Sequence, residues 1–239
     1  VAGTAATQEA TVHEGSAFET SSVYSETLRR DLDYTVYLPP NYDTSERYPV
    51  VFLLHGRGDT MAAWRQAAPV LDRLIGEAAI PPLIAVMPDA RASSRAGYYV
   101  DGAYTGSSPG ALPAEATETA FVTELVPHIL ANYPVVTHRS GHVVAGYSMG
   151  GYGAVRYLLA YPEVYSAAIV LSPAVYTPLP PAESSTREFG AFGTGERLFN
   201  PERYRELNYP ALLEEYSGGR YPVRLFIAVG DDEWKHPSP

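Results

Sequence analysis

Short apolar runs and helical patterns alternate along most of this 239-residue chain. Near the start, residues 18–23 and 31–38 alternate between apolar and polar positions and are rich in Tyr, Val and Thr, which predicts two strands paired antiparallel. Beyond them, five continuous apolar runs are typical of strands buried on both faces of a sheet. These runs are 49–54, 83–87, 142–145, 167–171 and 223–229.

Helical patterns occupy the stretches between these runs. In one of them, Phe121, Leu125 and Ile129 recur four residues apart, as they do on one face of an amphipathic helix. In another, Asn200 and Pro201 supply a cap and a first-turn proline. The predicted helices are 61–75, 115–131, 150–159 and 202–207. This alternation predicts an α/β fold with a mainly parallel sheet and helices on both faces, whose ligands bind at the carboxyl ends of the strands.

Composition narrows the class of protein. A chain of 239 residues with 46% hydrophobic residues is long enough for one core, so we predict a flexible start over 1–15 and a single domain over 16–239. The formal net charge of −10 argues against nucleic acid and anionic membranes as partners. No apolar run approaches the roughly 20 residues of a membrane span.

The residue types also limit the chemistry. The sequence contains no cysteine, which excludes a thiolate nucleophile and thiolate metal sites. We expect no metal and no organic cofactor. Because the chain starts at Val1 with a small, polar stretch, we expect a secreted protein without its signal peptide, with a cytoplasmic location as the alternative.

The segment Gly146-Tyr147-Ser148-Met149-Gly150 carries the strongest chemical signal in the sequence. A predicted buried strand runs directly into this Gly-x-Ser-x-Gly pattern and a predicted helix follows it, which is the context of a nucleophile elbow. Neighbours without side chains let the strand and the helix pass closely at the sharp turn. We predict that Ser148 is a nucleophile, with a helix cap as the alternative.

A second group of candidates follows the predicted strand 49–54. Acyl transfer at a serine needs two backbone N–H donors aimed at the developing oxyanion, one just after the nucleophile and one from the loop after an earlier strand. Met149 and Arg57 occupy those positions, so we predict that their amides form an oxyanion hole. His55 in the same loop is a candidate base, but we favour a structural role for it.

Acidic residues follow the last predicted strand, at Asp231, Asp232 and Glu233. A carboxylate there could hold a catalytic imidazole in the correct tautomer and stabilise its cationic form. A solvated acidic turn is the alternative, and the strand pattern alone does not single out one of the three.

Two long stretches without periodicity, 91–113 and 178–199, are predicted loops that contain several aromatic residues. We expect these loops to border the substrate, and we include the elbow residue Tyr147 in the substrate-binding set. The other members are Tyr98, Tyr99 and Asp101, with Tyr104, Tyr176, Phe189 and Phe192 nearby in the two loops.

Several separate blocks of sequence resemble one known group, the putative-esterase family of α/β-hydrolases. The family includes S-formylglutathione hydrolases, feruloyl and acetyl-xylan esterase domains and mycolyltransferases. The blocks appear in the family's order and cover the chain from about Tyr34 to Glu233. They are 34–40, 49–56, 87–89, 98–101, 124–129 with Tyr133, 145–154 and 167–173.

The resemblance implies roles for individual residues. It implies that Ser148 is the nucleophile, and that the amides of Met149 and Arg57 form the oxyanion hole. The family's acid usually stands three residues after a strand-ending glycine and before an aromatic residue, which favours Glu233, followed by Trp234, over Asp232.

The sequence departs from the family at the catalytic base. Family members place this histidine some thirty residues beyond the acid, whereas this sequence ends at Pro239. His236 stands too close to Glu233 to fold back readily, and His138 and His142 flank the opposite end of the elbow strand from Ser148. We therefore expect the fold to continue beyond this sequence with a last strand, a helix and the base.

Together these features predict a serine carboxylic-ester hydrolase that works through an acyl-enzyme. The expected substrate is a carbohydrate-linked or aryl ester, either a small molecule or a polysaccharide. Acyl transfer of the mycolyltransferase type is one alternative. A catalytically silent homologue that binds a polymer or partner is the other.

Overall fold

The computed structural model of the chain describes residues 12–13, 15–90, 97–111, 114–216 and 220–230. Its strands are β1 Val12–His13, β2 Ala17–Ser25, β3 Arg30–Leu38, β4 Tyr42–Asp43, β5 Val50–Leu54, β6 Ile84–Pro88, β7 Ala103–Tyr104, β8 His142–Ser148, β9 Ala167–Pro173, β10 Thr194–Gly195 and β11 Arg224–Ala228. Its α-helices are α1 Ala68–Gly76, α2 Thr117–Ala120, α3 Val126–Asn132, α4 Met149–Ala160, α5 Pro201–Leu207 and α6 Tyr209–Glu215.

Seven strands form the main sheet, in the order β11-β9-β8-β5-β6-β3-β2. The hairpin of β2 and β3 is antiparallel, as the alternating residues predict, and β3 also pairs antiparallel with β6. The other neighbours are parallel. The short strands form two separate pairs, β1 with β4 and β7 with β10.

Side chains that alternate along the central strands pack on opposite faces of this sheet. One face packs against α1 through a cluster of Tyr37, Leu53, Ala68, Ala85, Met87 and Ala145. The opposite face packs against α3 and α4, and its strand members include Val36, Phe52, Val86, Val144 and Val170. The predicted α/β fold, with a mainly parallel sheet covered on both faces, is therefore confirmed. No helix in the described ranges has the length and apolar content to cross a membrane.

Two helical predictions needed correction. The helix predicted over 61–75 starts as a 3-10 segment, Ala63–Ala67, before α1. Pro69 lies in the first turn of α1 and has no N–H to donate to a preceding turn, so the α-helix starts beside it. The sequence pattern missed α6, which has only seven residues and also starts beside a proline.

Strand β11 forms one edge of the described sheet, and its apolar side chains are exposed. Leu225, Phe226 and Ile227, and Val229 just after the strand, expose between 45% and 59% of their surface. The expectation that a further strand and helix follow remains a prediction.

The parallel register brings the functional segments to one edge of the sheet. Leu54 at the end of β5 lies beside Gly146 of β8, and Tyr147 lies beside Leu171 of β9, which in turn lies beside Ala228 of β11. The segments that follow these strands therefore leave the sheet at the same edge.

Candidate active site

Ser148 lies where β8 ends and α4 begins, as the Gly-x-Ser-x-Gly pattern predicts. Its backbone has φ 52° and ψ −118°. A positive φ is unfavourable for a residue with a side chain and is retained only where the surrounding structure enforces it. Such strain at a strand-to-helix turn is the geometry of a nucleophile elbow. The residue is half-buried.

The two glycines of the pattern are required by close backbone approaches. A Cβ atom on Gly146 would lie 2.2 Å from the carbonyl oxygen of Gly150. A Cβ atom on Gly150 would lie 2.1 Å from the carbonyl oxygen of Leu54. Since backbone atoms obstruct both positions, a side chain at either would force the strand and helix apart.

A break in strand pairing inserts an extra residue into β9 beside the end of β8. Tyr147 pairs with Leu171, but Ser148 pairs with Pro173, so Ser172 is left between them with φ 40°. The carbonyl of Ser148 accepts a hydrogen bond from the amide of Ala174 at 2.9 Å. A bulge of this kind turns a side chain away from the plane of the sheet.

His55, which follows β5, anchors the loop to the segment that follows β6. Its ring is fully buried, Nε2 accepts a hydrogen bond from the amide of Ala90 at 3.0 Å, and Nδ1 lies 2.9 Å from the carbonyl oxygen of Gly56. An acceptor at Nε2 requires the proton on Nδ1, which donates to that carbonyl. Burial lowers the pKa of the imidazole, while Gly56 and Asp89 partly oppose this shift. The neutral ring is fully engaged, which agrees with the structural role predicted for it.

The predicted oxyanion-hole residues lie on this loop and on α4. Arg57 follows the loop residue Gly56, and its side chain is exposed. Met149 is the first residue of α4, and its side chain is buried in the core. Only their backbone amides are candidates for the site, and the amide of Met149 belongs to the positive end of the helix dipole.

Tyr147 connects the elbow to the loop after β5. Its ring packs so closely on Gly56 that a Cβ atom there would lie 2.5 Å from the Cε2 atom of Tyr147. The ring also meets Trp64 edge-on, with the ring centroids 5.2 Å apart. Its hydroxyl donates to the carboxylate of Asp59. Burial, reinforced by the bond to Asp59, raises the pKa of Tyr147 to about 12.

The sequence indicated only a turn at Arg57-Gly58-Asp59, with adhesion as a less favoured alternative, and it did not single out Trp64. Asp59 follows a glycine in a turn-forming segment, and it is separated from Tyr147 by 88 positions. No local pattern could connect them. Only the register of β5 beside β8 brings the two segments together.

The structure does not support the predicted substrate-binding role of Tyr98 and Tyr99. Their exposures are only 3% and 1%, and both have positive φ values. The Tyr98 hydroxyl lies 2.5 Å from Oγ1 of Thr186, and the Tyr99 hydroxyl donates to the carbonyl of His55 at 2.9 Å. Burial raises the pKa of Tyr98 to about 12. Both tyrosines are therefore part of the core, and Tyr99 bonds to the first residue of the loop after β5.

Asp101 is half-buried and makes internal hydrogen bonds, and its substrate-binding role stays a prediction. Its carboxylate accepts hydrogen bonds from the amide of Thr119 at 3.0 Å and from the Thr119 hydroxyl at 2.6 Å. It therefore stabilises the first turn of α2. Tyr104 and Phe192 are buried, whereas Tyr176 and Phe189 are half-buried.

The predicted acids, Asp232 and Glu233, lie outside the described residues, as does His236. The strand before them, β11, ends at the same edge as Ser148. His142 starts β8, and both its ring nitrogens lie within 3.0 Å of backbone carbonyls. Six residues of strand place it about 20 Å from Ser148, as expected.

The two other described imidazoles bond to side chains outside the elbow. Nε2 of His128 lies 2.9 Å from the hydroxyl of Tyr34, and Nδ1 of His138 lies 3.0 Å from the hydroxyl of Ser140. Across the described ranges, no group of three or more His, Asp or Glu side chains could hold a metal ion.

Comparison with known proteins identifies related chains. A family model described as "Putative esterase" matches residues 25–234. The endo-1,4-beta-xylanase/feruloyl esterase of Xylanibacter ruminicola is 29% identical over 187 residues, which are 75% of this chain and 24% of that protein. Esterase Rv1288 of Mycobacterium tuberculosis is 35% identical over 135 residues, which are 56% of this chain and 27% of that protein.

A solved structure of a ferulic acid esterase superposes with a TM-score of 0.71 and 26% sequence identity, and the match covers 92% of this chain and 81% of that one. The chain spans about a quarter of the length of the curated relatives it matches. The family match confirms the resemblance seen in the sequence blocks.

Proposed function

The chain belongs to the Putative esterase family and has an α/β-hydrolase fold; on that premise, we propose that it is a serine esterase and that Ser148 is its nucleophile. Its Oγ attacks the ester carbonyl, the alcohol departs with a proton, and water then releases the acid from the acyl-enzyme. The observation that carries this assignment is the strained backbone of Ser148, with φ 52° between β8 and α4.

The amides of Arg57 and Met149 are proposed to stabilise the oxyanion. The loop that carries Arg57 follows Leu54, which pairs with Gly146 just before the elbow. Met149 follows Ser148 directly, so both amides belong to segments at one edge of the sheet. Donors fixed before the reaction stabilise the developing charge without reorganising, and loss of one such donor typically lowers kcat by about 10² to 10³.

Glu233 is the proposed acid, with Asp232 as the alternative. Strand β11 lies two places from β8 in the sheet, which corresponds to about 10 Å, and the acidic run follows its carboxyl end. We propose none of His55, His128, His138 or His142 as the base. The ring nitrogens of His55 and His142 are engaged by backbone groups, and the rings of His128 and His138 bond to Tyr34 and Ser140.

The proposed substrate is a carbohydrate-linked or aryl ester. Two matched proteins support this proposal by their names, one being a xylanase/feruloyl esterase and the other a ferulic acid esterase. Hydrolysis and acyl transfer share the acyl-enzyme, so the products formed with water alone and with an added sugar acceptor would distinguish them.

A fluorophosphonate probe tests the nucleophile. We expect the probe to label the full-length parent protein, which includes the predicted base, and Ser148→Ala to lose both labelling and hydrolysis of methyl ferulate. The matched control is Ser22→Ala, on the exposed edge strand β2, which should behave as the parent. Labelling of Ser148→Ala at the parent's rate would contradict the assignment. Labelling of the parent without hydrolysis of any aryl or sugar ester would contradict the substrate class.

A further inference from the structure

The proposed oxyanion hole is assembled from two segments that are far apart in the sequence. Met149 is fixed by the start of α4, whereas Arg57 belongs to an irregular loop between Leu54 and the 3-10 segment. The distance between their amides therefore depends on whatever holds the loop against the elbow. His55 provides one such contact, because its ring accepts a hydrogen bond from the amide of Ala90.

A second set of contacts holds the same loop from the elbow side. The ring of Tyr147 packs on Gly56, next to Arg57, and its hydroxyl donates to Asp59, two residues after Arg57. The amide of Asp59 also donates to the carbonyl of Gly56 at 3.3 Å, which closes a turn around Arg57. The backbone of Tyr147 is joined to Met149 through Ser148 alone, so its side chain links the loop directly to the segment that carries the other half of the hole.

We infer that Tyr147 and Asp59 are positioning residues that set the spacing between the amides of Arg57 and Met149; this inference rests on the proposed function. A phenol that donates to a carboxylate forms a short, charge-assisted hydrogen bond, and this bond fixes the loop more firmly than the ring contact alone. Trp64 supports the arrangement from the side, because its Nε1 donates to the carbonyl of Leu54 at 3.0 Å.

This role gives a defined kinetic signature. A displaced oxyanion donor weakens binding of the transition state more than binding of the ground-state ester, so kcat should fall while KM changes little. We expect Tyr147→Phe and Asp59→Ala each to lower kcat for p-nitrophenyl acetate by about tenfold, with KM within about twofold of the parent value.

Two further variants separate positioning from a loss of packing. Asp59→Asn keeps a side-chain oxygen that accepts from Tyr147, so it should retain kcat within about threefold of the parent. The double variant Tyr147→Phe with Asp59→Ala should have a kcat within about twofold of either single variant, because both substitutions remove the same hydrogen bond. Tyr24→Phe, on an exposed tyrosine, is the matched control and should be unchanged.

Amide hydrogen exchange gives a readout that does not depend on activity. Residues 55–59 should exchange faster in Tyr147→Phe and Asp59→Ala than in the parent, and at the parent's rate in Asp59→Asn. Unchanged exchange in the first two variants would overturn the inference, as would parent-like kcat values in them. If Ser148→Ala still hydrolysed the ester, the proposed function would be wrong, and the exchange rates would still decide whether this pair holds the loop.

Discussion

At the scale of single residues, His55 shows how a titratable side chain can serve the site without taking part in the reaction. Its ring is completely buried, and it joins the loop after β5 to the amide of Ala90. The loop contains the proposed oxyanion donor Arg57, so the neutral form of the imidazole is the form that supports the site. A protonated ring could no longer accept from Ala90.

The burial of His55 predicts a pH dependence of stability. Its pKa is lowered in the folded protein, chiefly by burial, so below about pH 6.5 the unfolded chain binds more protons than the folded one. The free energy of unfolding should therefore decrease as the pH falls from about 6.5 towards the folded pKa. His55→Gln keeps an acceptor but does not titrate, so urea denaturation should show a flatter pH profile for this variant.

The exposed His138 provides the control for this measurement. His138→Gln makes the same substitution on the surface, and the pH profile of His55→Gln should be flatter than that of this variant. A parent-like slope in His55→Gln would show that His55 does not cause the pH dependence.

Candidate site residues differ in how well the sequence predicts them. Ser148, Gly146 and Gly150 are neighbours in the chain, so a local pattern can carry their geometry. Tyr98 looked like an exposed loop aromatic, but its ring packs in the core against Tyr152 and Phe192, with centroids 5.2 Å away in both cases. Such packing depends on tertiary contacts that no local pattern reports.

At the scale of elements, a buried ion pair joins α4, the helix that follows Ser148, to α2. Nε of Arg156 in α4 lies 2.6 Å from Oε2 of Glu118 in α2, and the hydroxyl of Tyr161 donates to Oε1 of Glu118 at 2.8 Å. The Arg156 side chain also donates to the carbonyl of Leu207, at the end of α5, at 2.8 Å. These bonds join α2, α4 and α5 to one another.

Breaking this pair should be costly. Glu118→Gln leaves the guanidinium of Arg156 buried without its counter-charge, and loss of one partner from a buried pair typically costs about 3 to 5 kcal/mol. We expect a loss at the lower end, about 3 kcal/mol in the free energy of unfolding by urea, because Gln still accepts a hydrogen bond.

The exposed pair Arg73–Glu77 on α1 is the matched control. Both of its side chains are more than half exposed, so Glu77→Gln should change stability by no more than about 0.5 kcal/mol. Equal losses for the two variants would show that burial of the Glu118 pair adds nothing.

The elements themselves were predicted wherever burial controls the pattern. Strands β5, β6, β8 and β9 lie inside the sheet, so they appear as continuous apolar runs. Helices α5 and α6 both have seven residues, too few to establish a period. Helix α5 was found through the cap Asn200, whereas α6 has no side-chain cap. The 3-10 segment before α1 ends where Pro69 starts the α-helix. The proline was visible in the sequence, but only the structure shows that the α-helix starts beside it.

At the scale of the whole molecule, the net charge bears on the choice of ester. The chain has a formal charge of −10, and a field of that sign repels anionic substrates before they reach the site. Neutral feruloyl or acetyl esters of sugars experience no such repulsion. The exposed guanidinium of Arg57 on the oxyanion loop acts in the opposite direction, because it is a local positive charge beside the elbow.

Salt dependence separates these two influences. For the anionic ester 4-acetoxybenzoate, kcat/KM should rise about two- to fivefold between 10 and 300 mM NaCl, because screening shortens the range of the repulsion. Its neutral methyl ester, with the same acyl group, should show no change and serves as the control. A fall in kcat/KM for the anionic ester would mean that the charge of Arg57 outweighs the field of the whole molecule, and that the site prefers anionic esters.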